Sequence, residues 1–544
     1  MRIRHHIKNI LSKLQLSFFN SIINELVNKK TNLFIFYFDQ GFLYQSKNNF
    51  DQAMWHYNKA IALKPDYHQA YLNLAKINFS AKKYHDALEI LSFLRKENGN
   101  AVDYSGEILK NKMQICDWTD FESHLKNLMN QIYLKKISID PFSILAMIDD
   151  PLAHKLVAED HSKKIDQDLP NSSFRYYKHK KIRIGYFSAD FHNHATMHLM
   201  ADLFENHNKS KFELHAFSLG PNLEDEWRKR IRKNFNSFNE VSQKNDLEII
   251  DICKELELDI AIDLNGYTLN QRLKIFSLRP AAIQINYLGF PGTLGAKFID
   301  YIIADKVIIS EDKKNLYTEH VVYMPHCYQA NISKKSISEA SFTKKDFGLS
   351  ESQFVFCCFN QNYKITPFIF DAWSNILRSV PDSVLWILNT NDYAIKNIHF
   401  EAERRGIDKK RIIFAEKLPL DEHLKRIQLA NLFLDTYPYG AHTSASDALR
   451  VGLPVVTLQG KSFASRVCSS LLLNLNLPEL VANNIDKYIA IACRLATHQQ
   501  DYEALRVKLK ESIKNLPVFD AANFTLDFEK NLLDIYHEKS VTKY

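Results

Sequence analysis

The sequence is short of glycine. Its 544 residues hold only 14, against an ordinary usage of ~7%. Collagen-like and glycine-linker classes are excluded, and each glycine is expected where the backbone needs one. Paired cysteine motifs are missing too. The seven cysteines are scattered with no CxxC, so neither a zinc ribbon nor a disulfide framework is indicated, and a reducing, cytoplasmic setting is expected. No apolar run nears the ~20 residues that cross a bilayer. The start, MRIRHHIKN, lacks the apolar core and cleavage site of a secretion signal. No GxGxxG is present, which removes the dinucleotide fingerprint.

Excess charge is confined to one end. Residues 1–30 hold six Lys/Arg and one Glu, giving +5 of the net +7 and leaving +2 for the rest. A body so nearly neutral argues against a nucleic-acid footprint. The same segment spaces Leu11, Leu14, Phe18, Ile22 and Leu26 as an amphipathic helix. It is expected to pack on the next helical unit rather than lie on an anionic membrane.

What is present begins with a 34-residue period. Tyr37 recurs as Tyr71, Gly41 as Ala75 and Ala53 as Ala87, and Pro65 closes the first unit. Small residues let two helices cross closely, and proline ends the second. Two tetratricopeptide units are predicted, 34–67 and 68–101, in a helical region spanning 1–133. Such a region either presents a groove to a peptide or braces the domain next to it. A helical connection and linker, 134–180, comes next.

After Lys180, β-branched and aromatic runs alternate with helical stretches. Five runs (182–190, 212–220, 259–266, 282–289, 301–309) precede five more (354–360, 383–389, 411–417, 432–438, 454–460). The alternation predicts parallel sheets in two Rossmann-like lobes, 181–340 and 341–544, with a ligand cleft at the strand C-termini.

Two apparent motifs fail. Gly460-Lys461-Ser462 resembles the end of a phosphate-binding P-loop, but position 455, where its first glycine belongs, is valine. Asp166-Gln167-Asp168 resembles a metal-binding DxD but falls in the linker, so a solvated turn is expected and no metal. Four other groups follow strand ends. His192, His194 and His198 crowd one turn, where a histidine could act as a base. Lys364 could neutralise phosphate charge. His442, Thr443 and Ser444 open a helix carrying Asp447, and a helix start can hold an anion. The loop LGFPGTLG, 288–295, lets backbone approach a ligand. Each has an ordinary reading as cap, surface lysine or core histidine.

Taken in order, the blocks RIGYFSADFHNHATMHLM, IDLNGYT, LRPAAIQINYLGFPGTLGAKFIDYIIAD, FNQNYKITP and FLDTYPYGAHTSASDALRVGLPVVTLQG closely resemble the O-linked N-acetylglucosamine transferase / SPINDLY family. The resemblance implies an α/β GT-B fold preceded by an all-α tetratricopeptide-like region. It implies a glycosyltransferase that works with inversion and without a metal or other cofactor. The donor would be a nucleotide sugar, commonly UDP-N-acetylglucosamine, and the acceptor Ser or Thr of a protein. It assigns Lys364 to the leaving diphosphate and His194 to a disputed role as base. Gln361, His423, Arg426, His442, Thr443, Ser444 and Asp447 would line the nucleotide pocket, Asp447 at the ribose. Pro291, Gly292 and Thr293 would lie near the sugar, and Asp39 and Asn73 in an acceptor groove. Three departures stand out: Leu420 replaces a lysine of the animal enzymes, Ser444 a threonine and Asp259 a histidine. They keep other donors and acceptors open (GDP-fucose, UDP-glucose, asparagine or a glycan), as well as a non-catalytic, repeat-based binding protein.

Overall fold

Small residues decide how the first helices meet. A computed structural model of the chain describes residues 33–45, 49–98, 103–166, 177 and 179–541. The expected helix around Leu11–Leu26 lies outside them, as do Gln167, Asp168 and most of the linker. Two units form: the described residues up to Gln114 with Phe121–Leu128, and Ile115–Asp120 with those from Met129 on. In the first unit, helical residues 33–45 precede helices Phe50–Leu63, His68–Ser80, Tyr84–Asn98 and Ser105–Gln114. A β-carbon on Gly41 would stand 2.7 Å from the Tyr57 ring, so this crossing requires glycine. Ala53 and Ala60 are wholly buried beside it. Asn49 caps the start of helix Phe50–Leu63, which ends at Lys64, just before the proline that cannot continue it.

The second unit holds two sheets. Strands β1 (Ile182–Ser188), β2 (Phe212–Ser218), β3 (Ser237–Glu240), β4 (Ile260–Asp263), β5 (Ile283–Asn286), β6 (Tyr301–Ala304) and β7 (His320–Tyr323) form the first, in the order 3-2-1-4-5-6-7. Strands β8 (Phe354–Cys358), β9 (Ser383–Leu388), β10 (Ile412–Ala415), β11 (Leu432–Leu434), β12 (Val455–Leu458) and β13 (Val481–Ala482) form the second, in the order 10-9-8-11-12-13. Every pairing in both is parallel. These are two Rossmann-like lobes of a GT-B fold. In each, the winding reverses beside the first strand, at β1/β4 and at β8/β11, which opens the ligand crevice of such sheets. The ten sequence-predicted runs all contain strands. Strands β3, β7 and β13 were not predicted, and all three are sheet edges. β3 reads SFNE and β13 has only two residues, so neither writes the continuous apolar run that marks a buried strand; the fourth edge, β10, has IIFA and was predicted.

Two segments settle differently from their place in the chain. Part of the expected connection is built into the lobes. Helix Pro151–Asp166 packs so closely on Gly295 that a β-carbon there would lie 2.3 Å from the Glu159 amide nitrogen. Asp149 accepts the backbone N–H groups of Lys461 and Ser462 at 2.7 and 2.8 Å, and the Ser465 and Tyr437 hydroxyls. Burial pushes its carboxyl up, but these donors outweigh it and hold the group below its ordinary range. The Gly460-Lys461-Ser462 turn is therefore an anion nest already filled by the chain itself. The last helix, Ala521–Val541, returns to the first lobe. Its Glu529 accepts the Asn208 N–H at 2.6 Å and lies 2.9 Å from His207 Nδ1. No helix among the described residues is long and apolar enough to cross a membrane.

Candidate functional site

The site is assembled at the C-terminal ends of β8 and β11. After β8 the chain turns through Gln361 into a short 3-10 turn, Asn362–Lys364. Gln361 is left exposed while Lys364 is carried inward. After β11 the chain passes a cis Tyr437–Pro438 bond and Gly440 to reach helix Thr443–Arg450. The Lys364 ammonium donates to the Gly440 carbonyl at 3.0 Å and stands 3.5 Å from the centre of the Tyr439 ring. Burial lowers it to about 8, opposed by the Asp435 carboxylate. Asp435 is pushed up to about 6 by burial, despite donors from Thr457 and the Ala441 N–H. An ammonium held by a neutral carbonyl and a ring, with its nearest carboxylate already bonded elsewhere, is under-compensated. It favours an incoming anion.

The helix start supplies more of the same field. His442 is its N-cap but makes no side-chain cap bond. Its Nε2 lies 3.0 Å from the Ala464 carbonyl instead. Burial, then the Lys364 charge, holds the imidazole down at about 3, so it stays neutral and donates to that carbonyl. The first helical N–H groups, at Thr443 and Ser444, carry the positive end of the helix dipole and remain available. The Ser444 hydroxyl bonds to Asn360 Oδ1 at 2.5 Å. Asp447, one turn further, pairs with Lys335.

A side wall comes from helix Leu420–Arg426. Arg426 is almost wholly buried; it bonds His423 Nδ1 at 3.0 Å and the Glu416 carbonyl, with its guanidinium over the Phe359 and Trp386 rings. Burial, then Arg426, lowers His423 to about 4. Leu420 is the first residue of this helix.

The first lobe contributes histidines. His194 caps helix Ala195–Asn206 through Nδ1, which lies 3.3 Å from the Thr196 N–H and 3.5 Å from Asp190 Oδ2. The first contact needs an unprotonated Nδ1 and the second a protonated one, which would leave Nε2 as a proton acceptor. Burial holds His194 below its ordinary value, Asp190 opposing. His198 lies 4.5 Å from the Trp227 ring at a tilt of 53° and is lowered to about 4 by burial, then by the Lys335 charge.

Other predicted residues are placed differently. Thr293 lies inside the first lobe: its hydroxyl donates to Glu319 at 2.5 Å while accepting the Gly295 and Thr318 N–H groups. Pro291 and Gly292 are buried beside it, the Gly292 carbonyl accepting from Asn286. What this loop has to offer a ligand is backbone, not the threonine hydroxyl. In the repeat unit Asp39 is exposed, whereas Asn73 is buried and donates to the Tyr57 hydroxyl at 3.1 Å. Asn73 thus serves the packing between helices, not an open groove. Among the described residues no cluster of three His, Cys, Asp or Glu is placed to hold a metal ion. Lys335 was missed by sequence reasoning; it lies in a polar SKKS run that reads as solvated surface.

A family model described as glycosyl transferase family 41 matches residues 115–338 and 334–528, and a tetratricopeptide-repeat model matches 41–81. Over 448 residues the chain is 32% identical to the probable UDP-N-acetylglucosamine–peptide N-acetylglucosaminyltransferase SEC of Arabidopsis thaliana, covering 78% of this chain and 46% of that protein. It is 28% identical to the UDP-N-acetylglucosamine–peptide N-acetylglucosaminyltransferase of Caenorhabditis elegans, over 76% of this chain and 47% of that one. The chain spans about half the length of these curated relatives. A solved structure of a Thermobaculum terrenum O-GlcNAc transferase mutant superposes with a TM-score of 0.73 at 22% identity, covering 95% of this chain and 99% of that one. That likeness shows the fold.

Proposed function

The chain belongs to glycosyl transferase family 41, and from that premise we propose that it moves N-acetylglucosamine from UDP-N-acetylglucosamine to Ser or Thr hydroxyls of proteins. The observation that carries this reading is the under-compensated Lys364 ammonium beside the open start of helix Thr443–Arg450. The acceptor oxygen attacks the anomeric carbon from the face opposite the leaving group. The new C–O bond forms as the bond to the diphosphate breaks, inverting that carbon. Negative charge grows on the diphosphate, where Lys364 and the Thr443 and Ser444 N–H groups stabilise it without a metal. The hydroxyl proton leaves toward His194 Nε2, whose ring Asp190 orients. Asp447 takes the ribose, and His423, Arg426 and Gln361 border the base. The relatives, which are named for this donor and for peptide acceptors, support the reading, as does the repeat unit, which would bring protein acceptors.

Transfer of label from UDP-N-acetylglucosamine to lysate proteins tests it, with and without a chelator. Wild type should transfer equally in both, and Lys364→Met should transfer about a hundredfold less or lower still. Equal incorporation by both proteins would refute the reading. A second reading keeps the fold but changes the donor. It is favoured by Leu420, which puts an apolar side chain at the first residue of the wall helix. Thermal stabilisation across a panel of nucleotide sugars decides between them. A donor near 100 times its dissociation constant adds about 2.7 kcal/mol.

A further inference from the structure

The fold buries a lysine that the sequence leaves looking ordinary. The Lys335 ammonium lies 2.5 Å from Asp447 Oδ1, with side chains 1% and 8% exposed. The connector that carries it is strapped to the second lobe on both sides. The Ser446 hydroxyl donates to Asn331, Arg450 donates to the carbonyls of Ile332 and Ser333, and the Ser338 N–H donates to the Asp421 carbonyl at 3.2 Å. Lys335 has little freedom between these anchors. The connector is tied to the first lobe as well, where the Ser333 N–H donates to Asp202 at 2.7 Å.

The pair is incomplete. An ammonium has three N–H groups and a carboxylate two oxygens. Among the described residues, Lys335 spends one N–H on Oδ1, and Asp447 Oδ2 receives no donor. A buried ion pair normally satisfies its remaining donors and acceptors, since leaving them unmet is costly. Here two donors and one acceptor stand side by side, next to the histidines of the cleft.

We propose that Lys335 and Asp447 together clamp the vicinal cis-hydroxyls of a ribose, which makes Lys335 a specificity-determining residue for the nucleotide. The inference rests on the donor reading above. Asp447 Oδ2 accepts from one hydroxyl, and Lys335 donates to the oxygen of its neighbour. A diol offers a donor and an acceptor on adjacent carbons; the carboxylate alone would meet only the donors. A nucleotide lacking one hydroxyl would leave a covered charge unpaired, which a hydrogen-bonding site rejects strongly.

Calorimetric binding of UDP and 2′-deoxy-UDP to the full chain tests this. Wild type is expected to prefer UDP by about tenfold or more, the worth of one hydrogen bond to a charged group. Lys335→Met should bind UDP more weakly and lose most of that preference. The double variant Lys335→Met/Asp447→Asn removes both charges, so no orphaned carboxylate is left to unfold the protein, and its preference should also be lost. The preference is a ratio within one protein, so a reduced folded fraction does not mimic its loss. A wild-type preference retained in Lys335→Met, or in the double variant if the single one does not fold, would overturn the clamp and leave the donor reading intact. So would a wild type that binds both nucleotides equally. A wild type that binds neither would overturn the donor reading and the clamp with it.

Discussion

The two lobes share one winding order and use it in opposite ways. In the first, backbone donors near the strand ends are met from within. Asp263 accepts the N–H groups of Asn265 and Gly266, and Glu319 that of Leu294. Both carboxylates are buried and raised. In the second, the turn after β11 uses Asp435 for Thr436 and Ala441, but the start of helix Thr443–Arg450 is left without a side-chain cap. One lobe meets these backbone donors with its own carboxylates, and the other leaves one helix start without a side-chain cap, where the proposed function seats the diphosphate. The Asp149 nest at Lys461 and Ser462 shows the same choice within the second lobe. A parallel sheet therefore provides the crevice, and local side chains decide whether it holds a ligand.

The sharpest way to break this contrast is to remove the uncompensated charge. Lys364→Met keeps the volume and drops the ammonium. Transfer at saturating donor should fall by about 10²–10³, the loss seen when one group stabilising developing charge is removed. Single-turnover rates check it. A loss below tenfold would mean the helix start alone carries the diphosphate.

The complementary change is in the first lobe. Glu319→Gln replaces one of two accepting oxygens with an NH2, which must then face either the donating Thr293 hydroxyl or the Leu294 N–H. Stability should fall by about 1–3 kcal/mol, the cost of an unmet buried group. Affinity for UDP should be unchanged, as measured by calorimetry beside denaturant unfolding. A weakened affinity would show that the lobes are not divided as described.

A pH series separates the same two roles without mutation. Lys364 titrates at about 8 in the empty fold, below the ~10.4 of an unfolded lysine. Between these values the unfolded chain binds more protons, so this lysine makes the empty protein more stable as pH rises. A bound diphosphate needs the ammonium, so nucleotide affinity should fall between pH 7 and 9, by about tenfold. Lys364→Met should flatten the fall.

How far the sequence showed this division depends on the kind of signal. The central strands were legible because burial on both faces writes a continuous apolar run. The edges β3 and β13 were not, because a polar SFNE and a two-residue strand carry no such run, whereas the edge β10, with IIFA, was. Gly41 and Pro65 were legible because one residue type alone fits each position. The placement of Lys364 and of His442 to Asp447 beyond strand ends was legible, because the strands before them are. Lys335 and Asp149 were not, because their meaning depends on partners 112 and 312–313 residues away. The internal bond of the Thr293 hydroxyl was hidden for the same reason: its partner Glu319 is 26 residues off.

The smallest expected effect concerns the residue on which the first lobe's part in the chemistry turns. His194 caps helix Ala195–Asn206, and the proposed transfer also asks its ring, in the tautomer with Nδ1 protonated toward Asp190, to take the acceptor proton. His194→Ala removes both, while His194→Asn keeps a side chain that caps helices well. Stability should fall by about 0.5–1 kcal/mol in the alanine variant and hold in the asparagine variant. If His194 takes the acceptor proton as proposed, transfer at saturating donor should fall by the same factor in both, because neither replacement side chain is a base. An equal stability loss in both would show that the ring contributes more than a cap. Unimpaired transfer in both would move the proton's path out of the first lobe, leaving that lobe only to shape the cleft and the second to do the chemistry.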